Sequence, residues 1–167
     1  MYDCAIIGTG PAGLSAAINL KLHEKNIIWF GSKEMSAKVT RSEKIANYPG
    51  LPMMTGPEMT RHFQEHARRM GLVIEDKMVS QIMYSKRSGF SFLAENQMFR
   101  ARSLILAMGV VSSQIIPGEQ ELVGRGVSYC ATCDGFLYKG KTIAVVCADK
   151  RFEHEVIYLA ELAQKVY

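Results

Sequence analysis

Short apolar runs divided by glycine-bearing turns organise this chain. Ala5-Ile6-Ile7 is an uninterrupted apolar run, the pattern of a short buried strand. The stretch Gly8 to Gly13 breaks it, and Leu14 to Leu22 has helical composition. Ile27-Ile28-Trp29-Phe30 repeats the buried run and predicts a second parallel strand. Thr55-Gly56-Pro57-Glu58 opens a helix, with Thr55 or Gly56 as cap and Pro57 in the first turn. Its buried stripe is Met59, Phe63, Ala67 and Met70. The spacing then shortens. Val79 to Tyr84, Phe90 to Glu95 and Gln97 to Ala101 read as three strands of an antiparallel meander. Ser103 to Gly109 reads as a separate buried strand running into a glycine turn. Lys141 to Val146 predicts one more strand, and Glu153 to Val166 a helix. Strand–turn–helix, meander, then a second strand–turn–helix is an α/β pattern.

Composition narrows the class. The chain has 167 residues, 48% hydrophobic and 22% charged, as expected of a globular protein with one core or one and a half small ones. No apolar run is long enough to span a bilayer, so no membrane association is expected. The start Met1-Tyr2-Asp3-Cys4 carries no basic leader, which points to the cytoplasm. A net charge of +4 permits an acidic partner and gives no reason to expect nucleic acid. The ten methionines are scattered and read as core filler.

Two stretches carry chemistry. Gly8-Thr9-Gly10-Pro11-Ala12-Gly13 is G-x-G-x-x-G between a strand and a helix, the context a dinucleotide site needs. Gly8 permits the tight turn, Gly10 lets the backbone approach a pyrophosphate, and Gly13 lets the helix pack on the strand. An acidic residue at the end of the second strand would hold a ribose. Here Gly31-Ser32-Lys33-Glu34 follows, and Glu34 is a displaced substitute that leaves the ribose contact unassigned. The second stretch is Cys130-Ala131-Thr132-Cys133-Asp134. Two thiols two residues apart can close and reopen a disulfide, and the adjacent carboxyl can carry the proton each exchange moves. The same spacing suits half of a zinc site, but no second pair of ligands is visible. His62 and His66 lie four apart on a predicted helix, and a half-exposed flank is the favoured reading over a metal pair. Lys86, Arg87, Arg100 and Arg102 read as a solvated surface.

With these residues on the page, the chain resembles the low-molecular-weight thioredoxin reductases. The matching stretches are Ile6 to Gly13, Asn47-Tyr48-Pro49-Gly50, Thr55-Gly56-Pro57 and Gly124 to Phe136, in family order. The resemblance implies a Rossmann-like FAD-binding domain with a β-meander. The start of a second nucleotide-binding-like α/β domain, carrying the C-x-x-C, would follow. The expected division is 1–114 for the FAD domain, 115–118 for the linker and 119–167 for an apparently incomplete redox segment. Ser112 to Gly118 is the best linker stretch, and the family's domain rotation suits a hinge near Pro117. FAD would lie with its pyrophosphate on Gly8, Gly10 and Gly13, lined by Pro11, Ala12, Asn47, Val79, Ala107 and Gly109. Cys133 corresponds to the cysteine nearer the flavin, Cys130 to the sulfur that exchanges with thioredoxin, and Asp134 to the proton donor. The implied enzyme is an oxidoreductase and the implied assembly a homodimer.

Two departures shape the expected function. Where the family cradles NADPH, this chain reads Cys147-Ala148-Asp149-Lys150-Arg151-Phe152. Asp149 puts negative charge where a pyrophosphate should rest, and Phe152 puts bulk where the helix should approach. Lys150 and Arg151 offset part of that repulsion. The chain looks like the flavin thioredoxin reductases that lack the motif and take electrons from ferredoxin. The alternatives are NADPH through a remodelled turn, another electron carrier, or a binding module retaining FAD structurally. The second departure is length: family members return to the FAD domain after this point, so part of a longer chain is expected.

Overall fold

A computed structural model of the chain describes residues 1–109, 116–147 and 149–167. Its contacts divide into two units, Met1–Arg41 with Gly56–Gln114, and Ser42–Thr55 with Ile115–Tyr167. The segment 42–55, which the sequence reading left inside the first domain, groups with the second unit.

The first unit opens with strand β1 (Tyr2–Ile7), helix α1 (Pro11–Leu22) and strand β2 (Ile27–Phe30). Two helices follow, the one-turn α2 (Ala37–Thr40) and α3 (Gly56–Arg69). Then come β3 (Ile74–Glu75), β4 (Val79–Ser85), β5 (Gly89–Ala94) and β6 (Gln97–Leu106). These strands form one sheet in the order β3-β2-β1-β6-β5-β4. β1 pairs in parallel with β2 and with β6, and β3 extends the parallel edge from β2. The meander β4-β5-β6 is antiparallel. Flanked on both sides, β1 buries Cys4, Ala5, Ile6 and Ile7, which is why its sequence shows no alternation. Met59, Phe63 and Ala67 are the buried stripe of α3, with Met70 only half-buried just beyond its end.

The predicted strands Gln97 to Ala101 and Ser103 onward are one element. The first half of β6 pairs with β5, from Ala94↔Gln97 to Phe90↔Ala101, and the second half pairs with β1, from Tyr2↔Ala101 to Ile7↔Leu106. Ala101, fully buried, is shared by both ladders. One strand thus joins the meander to the parallel sheet, and the sheet must bend there. Phe92 of β5 lies 6.4 Å from Phe30 of β2, ring centre to ring centre, and Phe99 of β6 lies 5.2 Å from Phe30. In a flat sheet β5 and β2 would be three strand spacings apart, roughly 14 Å. Bending closes that gap and builds a core from Ala5, Ile7, Ile28, Phe30, Phe92, Ala94 and Ala101.

The second unit holds α4 (Glu119–Leu122), α5 (Ala131–Asp134), a 3-10 turn Gly135–Tyr138, β7 (Thr142–Ile143), a 3-10 turn Lys150–Phe152, α6 (Glu153–Leu162) and β8 (Lys165–Val166). The helix expected to run to Val166 stops at Leu162. Lys165 and Val166 instead pair in parallel with Thr142 and Ile143. The expected strand over 141–146 keeps only two strand residues. Residues 112–115 of the predicted linker lie outside the described residues. No described helix is long and apolar enough to cross a membrane.

Phe92→Ala removes the ring that ties the meander to β2. It is expected to cost about 3–5 kcal/mol, read by urea unfolding followed through the fluorescence of the single, buried Trp29. A loss below about 1 kcal/mol would show that the two halves of the sheet do not share a core.

Candidate functional site

In the first unit the glycine turn sits between β1 and α1. Gly8 has φ +114°, open to glycine and costly for other residues, and a Cβ there would collide with the Ala107 carbonyl. A Cβ on Gly13 would collide with the Gly8 carbonyl oxygen. Both are therefore glycine for the protein's own packing. Gly10 differs. Its φ of −77° suits any residue, and a Cβ there would meet only Ser36 Cβ at 3.8 Å and Oγ at 4.0 Å. Neither backbone nor packing requires glycine at this position, so the space above it is free for a ligand. Gly10 begins α1 without a side-chain cap, and the first turn carries no acidic residue. A twelve-residue helix presenting bare N–H groups beside a vacated Cβ position fits a pyrophosphate.

The remaining candidates lie in several elements. Pro11 and Ala12 form its first helical residues. Ala107 N–H donates to Ile7 O at 2.8 Å and extends the β1–β6 ladder to the turn. Gly109 has φ +70° with open space around it. Val79 starts β4 and packs on the core cluster. Asn47 belongs to the second unit and is exposed there, in a loop closed by the Ile45–Met54 bridge. Glu34 is exposed, its N–H bonded to Ser32 Oγ at 3.1 Å. One residue that the sequence reading took only as strand matters here. Trp29, 1% exposed, donates its indole N–H to Gly8 O at 2.8 Å and fixes the carbonyl that Gly13 packs against. Its only sequence signal is a tryptophan one residue before the end of β2.

In the second unit Cys130 and Cys133 are joined as a disulfide. Cys130 caps α5: Cys133 N–H donates to Cys130 Sγ at 3.2 Å, and Asp134 N–H to Cys130 O at 3.1 Å. An N–H aimed at the first sulfur is what a thiolate needs once the bond opens. Cys133 is exposed and Cys130 half-buried. Asp134 Oδ2 is 2.5 Å from Ser128 Oγ, which also receives the Cys130 N–H at 3.1 Å. Ser128 was part of the matched motif without a role of its own. Burial first, then the charges of Asp134 and Glu43, raise the Tyr138 phenol above its ordinary value. A 2.5 Å bond to the buried carboxylate of Glu119 does the same for Tyr129, the residue before the disulfide. Gly135 is buried, and a Cβ there would press on Tyr158 at 3.1 Å and Leu159 at 3.1 Å. Glycine after Asp134 thus lets α6 lie against the redox helix. His62 and His66 are both exposed, and among the described residues no three metal-binding side chains cluster.

The turn after β7 differs from its sequence reading. Asp149 accepts the Arg151 backbone N–H at 2.9 Å and pairs with its guanidinium at 3.0 and 2.7 Å. These bonds, the side-chain ones first, hold its carboxyl below the ordinary carboxylate range. The carboxylate already takes an N–H and the guanidinium that a phosphate would use. Phe152 does not wedge beneath the helix either. It is 50% exposed, with Arg151 6.0 Å above its ring. Beside them Cys147, Asp149, Lys150, Glu153, Val156 and Ile157 line a surface cleft of about 540 Å³.

With this geometry in hand, the chain compares as follows. The family model described as pyridine nucleotide-disulphide oxidoreductase matches residues 2–148. A thioredoxin reductase of Helicobacter pylori is 42% identical over all of this chain and 55% of that protein. The crystal structure of thioredoxin reductase from Streptococcus pyogenes superposes with a TM-score of 0.87 at 30% identity, covering 99% of this chain and 54% of the other. A ferredoxin-flavin thioredoxin reductase from Clostridium acetobutylicum is 46% identical with a TM-score of 0.65, over 99% of this chain and 57% of that one. The chain spans about half the length of the curated relatives it matches.

Gly13→Ala is expected to destabilise the first unit by about 2 kcal/mol or more, because α1 must move off β1. Thermal unfolding followed by circular dichroism checks it. An unchanged midpoint would show that the helix is not held at that distance.

Proposed function

The chain belongs to the pyridine nucleotide-disulphide oxidoreductase family, and from that premise we propose that it is the cofactor-binding and disulfide-bearing part of a thioredoxin reductase-type flavoprotein. The observation that carries this is the Cys130–Cys133 disulfide capping α5, with Asp134 in the same turn. FAD is the cofactor. We assign residues 1–114 to its domain, although 42–55 groups with the second unit by contacts, 115–118 to the joint and 119–167 to the redox segment. The turn Gly8, Gly10 and Gly13 takes the pyrophosphate, and Pro11, Ala12, Asn47, Val79, Ala107 and Gly109 line the cofactor. Gly10 supports this assignment, because among the described residues a Cβ there would meet only Ser36, at 3.8 Å or beyond.

Once bound and reduced by the electron donor, FAD would supply the two electrons that open the Cys130–Cys133 disulfide. The chain's residues then do thiol chemistry. Cys130 Sγ attacks the disulfide of thioredoxin, forming a mixed disulfide and releasing one thioredoxin sulfur. Cys133 Sγ attacks Cys130 Sγ, restoring the internal bond and releasing the second sulfur. The two protons lost by the cysteines equal the two gained by thioredoxin, and Asp134 carries one between them. The Cys133 N–H directed at Cys130 Sγ favours the anionic nucleophile.

Reduced ferredoxin is the proposed electron donor. The Asp149–Arg151 pair supports this, because it fills the turn where a nicotinamide nucleotide would place its phosphates. The pairing also removes Arg151 from any compensating role and leaves Lys150 alone. The net charge of +4 suits an acidic donor protein. The 46% identity to a protein described as a ferredoxin-flavin thioredoxin reductase points the same way. NADPH through a remodelled turn is the second reading, favoured by the family match itself. The working form is taken to be a cytoplasmic homodimer.

Three outcomes are expected from the full-length protein. Gly10→Val keeps the fold and loses FAD by tenfold or more (about 1.4 kcal/mol), read from the flavin absorbance per protein; full flavin content would overturn the assignment. Cys130→Ser and Cys133→Ser each abolish thioredoxin reduction and retain flavin. In anaerobic stopped-flow, reduced ferredoxin bleaches the flavin and NADPH does not. Bleaching by micromolar NADPH alone would replace ferredoxin with the second reading.

A further inference from the structure

We propose that Ser128 is a positioning residue for the proton step at the disulfide, holding Asp134 in both of its protonation states. This rests on the reading of Asp134 as proton carrier. A serine hydroxyl has one hydrogen and two lone pairs. Ser128 Oγ spends one lone pair on the Cys130 N–H, at 3.1 Å. Two acceptors lie within reach of its hydrogen, Asp134 Oδ2 at 2.5 Å and Cys130 O at 3.4 Å. The short distance to Asp134 is that of a charge-assisted O–H···O⁻ bond.

The arrangement works in either state. When Asp134 is ionised, Ser128 donates to Oδ2. When Asp134 is protonated, its O–H points into the second lone pair of Ser128 Oγ, and the serine hydrogen turns to the Cys130 carbonyl. A proton can reach or leave Asp134 without a heavy atom moving and without a polar group losing its partner. The same hydroxyl holds the backbone of Cys130, so the acid and the first sulfur are indexed to one atom. A serine that only closed the turn around Cys130 would affect stability and leave the pH dependence of exchange unchanged.

The experiment avoids the electron donor. Full-length protein is reduced with dithiothreitol, freed of reductant without oxygen, and mixed with one of two disulfides across pH 5–9. Hydroxyethyl disulfide releases an alkyl thiolate that needs a proton. Dithiobis(nitrobenzoate) releases an aryl thiolate stable as the anion. Asp134→Asn is expected to slow the alkyl reaction about a hundredfold and the aryl reaction little. Ser128→Ala is expected to slow the alkyl reaction about tenfold, spare the aryl one, and change the shape of the alkyl pH profile. Ser128→Thr keeps the hydroxyl and is expected to restore both rate and profile. If Asp134→Asn leaves the alkyl-to-aryl ratio unchanged, Asp134 is not the proton carrier and the underlying reading fails. If Asp134→Asn behaves as expected but Ser128→Ala keeps the wild-type profile, or slows both reagents equally, the role given to Ser128 is overturned while that reading stands.

Discussion

The carbonyl of Gly8 is the point on which the first unit depends. The Gly13 Cα lies against it too closely for any side chain, and the Trp29 indole N–H donates to it at 2.8 Å. Helix α1 is thereby locked to β1, and β2 is locked to both. The same contact points the start of α1, with its unpaired N–H groups, over Gly10. The seating of α1 against β1 and β2 is the consequence of one close approach. Glycine is required at two of the three motif positions by the protein's own packing, whereas at Gly10 neither the backbone angle nor the described contacts demand it.

The bend in β6 is the second constraint. Ala101, where the two ladders of this ten-residue strand meet, is small and fully buried. The meander then folds over the parallel half, and aromatic rings from β2, β5 and β6 fill the angle between them. β6 continues to Ala107, whose carbonyl backs the Gly8 turn, so the meander also braces the candidate cofactor site.

The second unit shows how a polar cluster can satisfy itself. At the disulfide, Ser128 links the Asp134 carboxyl to the Cys130 backbone. At the turn after β7, Asp149 consumes the donors around it. In the first arrangement the hydroxyl can either donate to the carboxyl or accept from it. The second ties its carboxylate to a guanidinium, which only donates.

Much of this was legible in the sequence because it is local. The strand–G-x-G-x-x-G–helix order, the turn glycines, the C-x-x-C with Asp134 and the stripe Met59, Phe63 and Ala67 each depend on neighbours within one turn or strand. What failed depended on distant partners. Gln97 to Leu106 looked like two strands because its two halves face different ladders. Lys165 and Val166 looked helical until β7 supplied a strand to pair with. Asp149 looked like a bare charge because sequence spacing does not show where a side chain turns, and the guanidinium two residues on satisfies it. Trp29 and Ser128 gave no signal as individuals, since their roles are hydrogen bonds to atoms 21 and six residues away. Sequence alone fixed which chemistry was available; which groups meet was decided by tertiary structure, because hydrogen bonds and packing are set by distance in space.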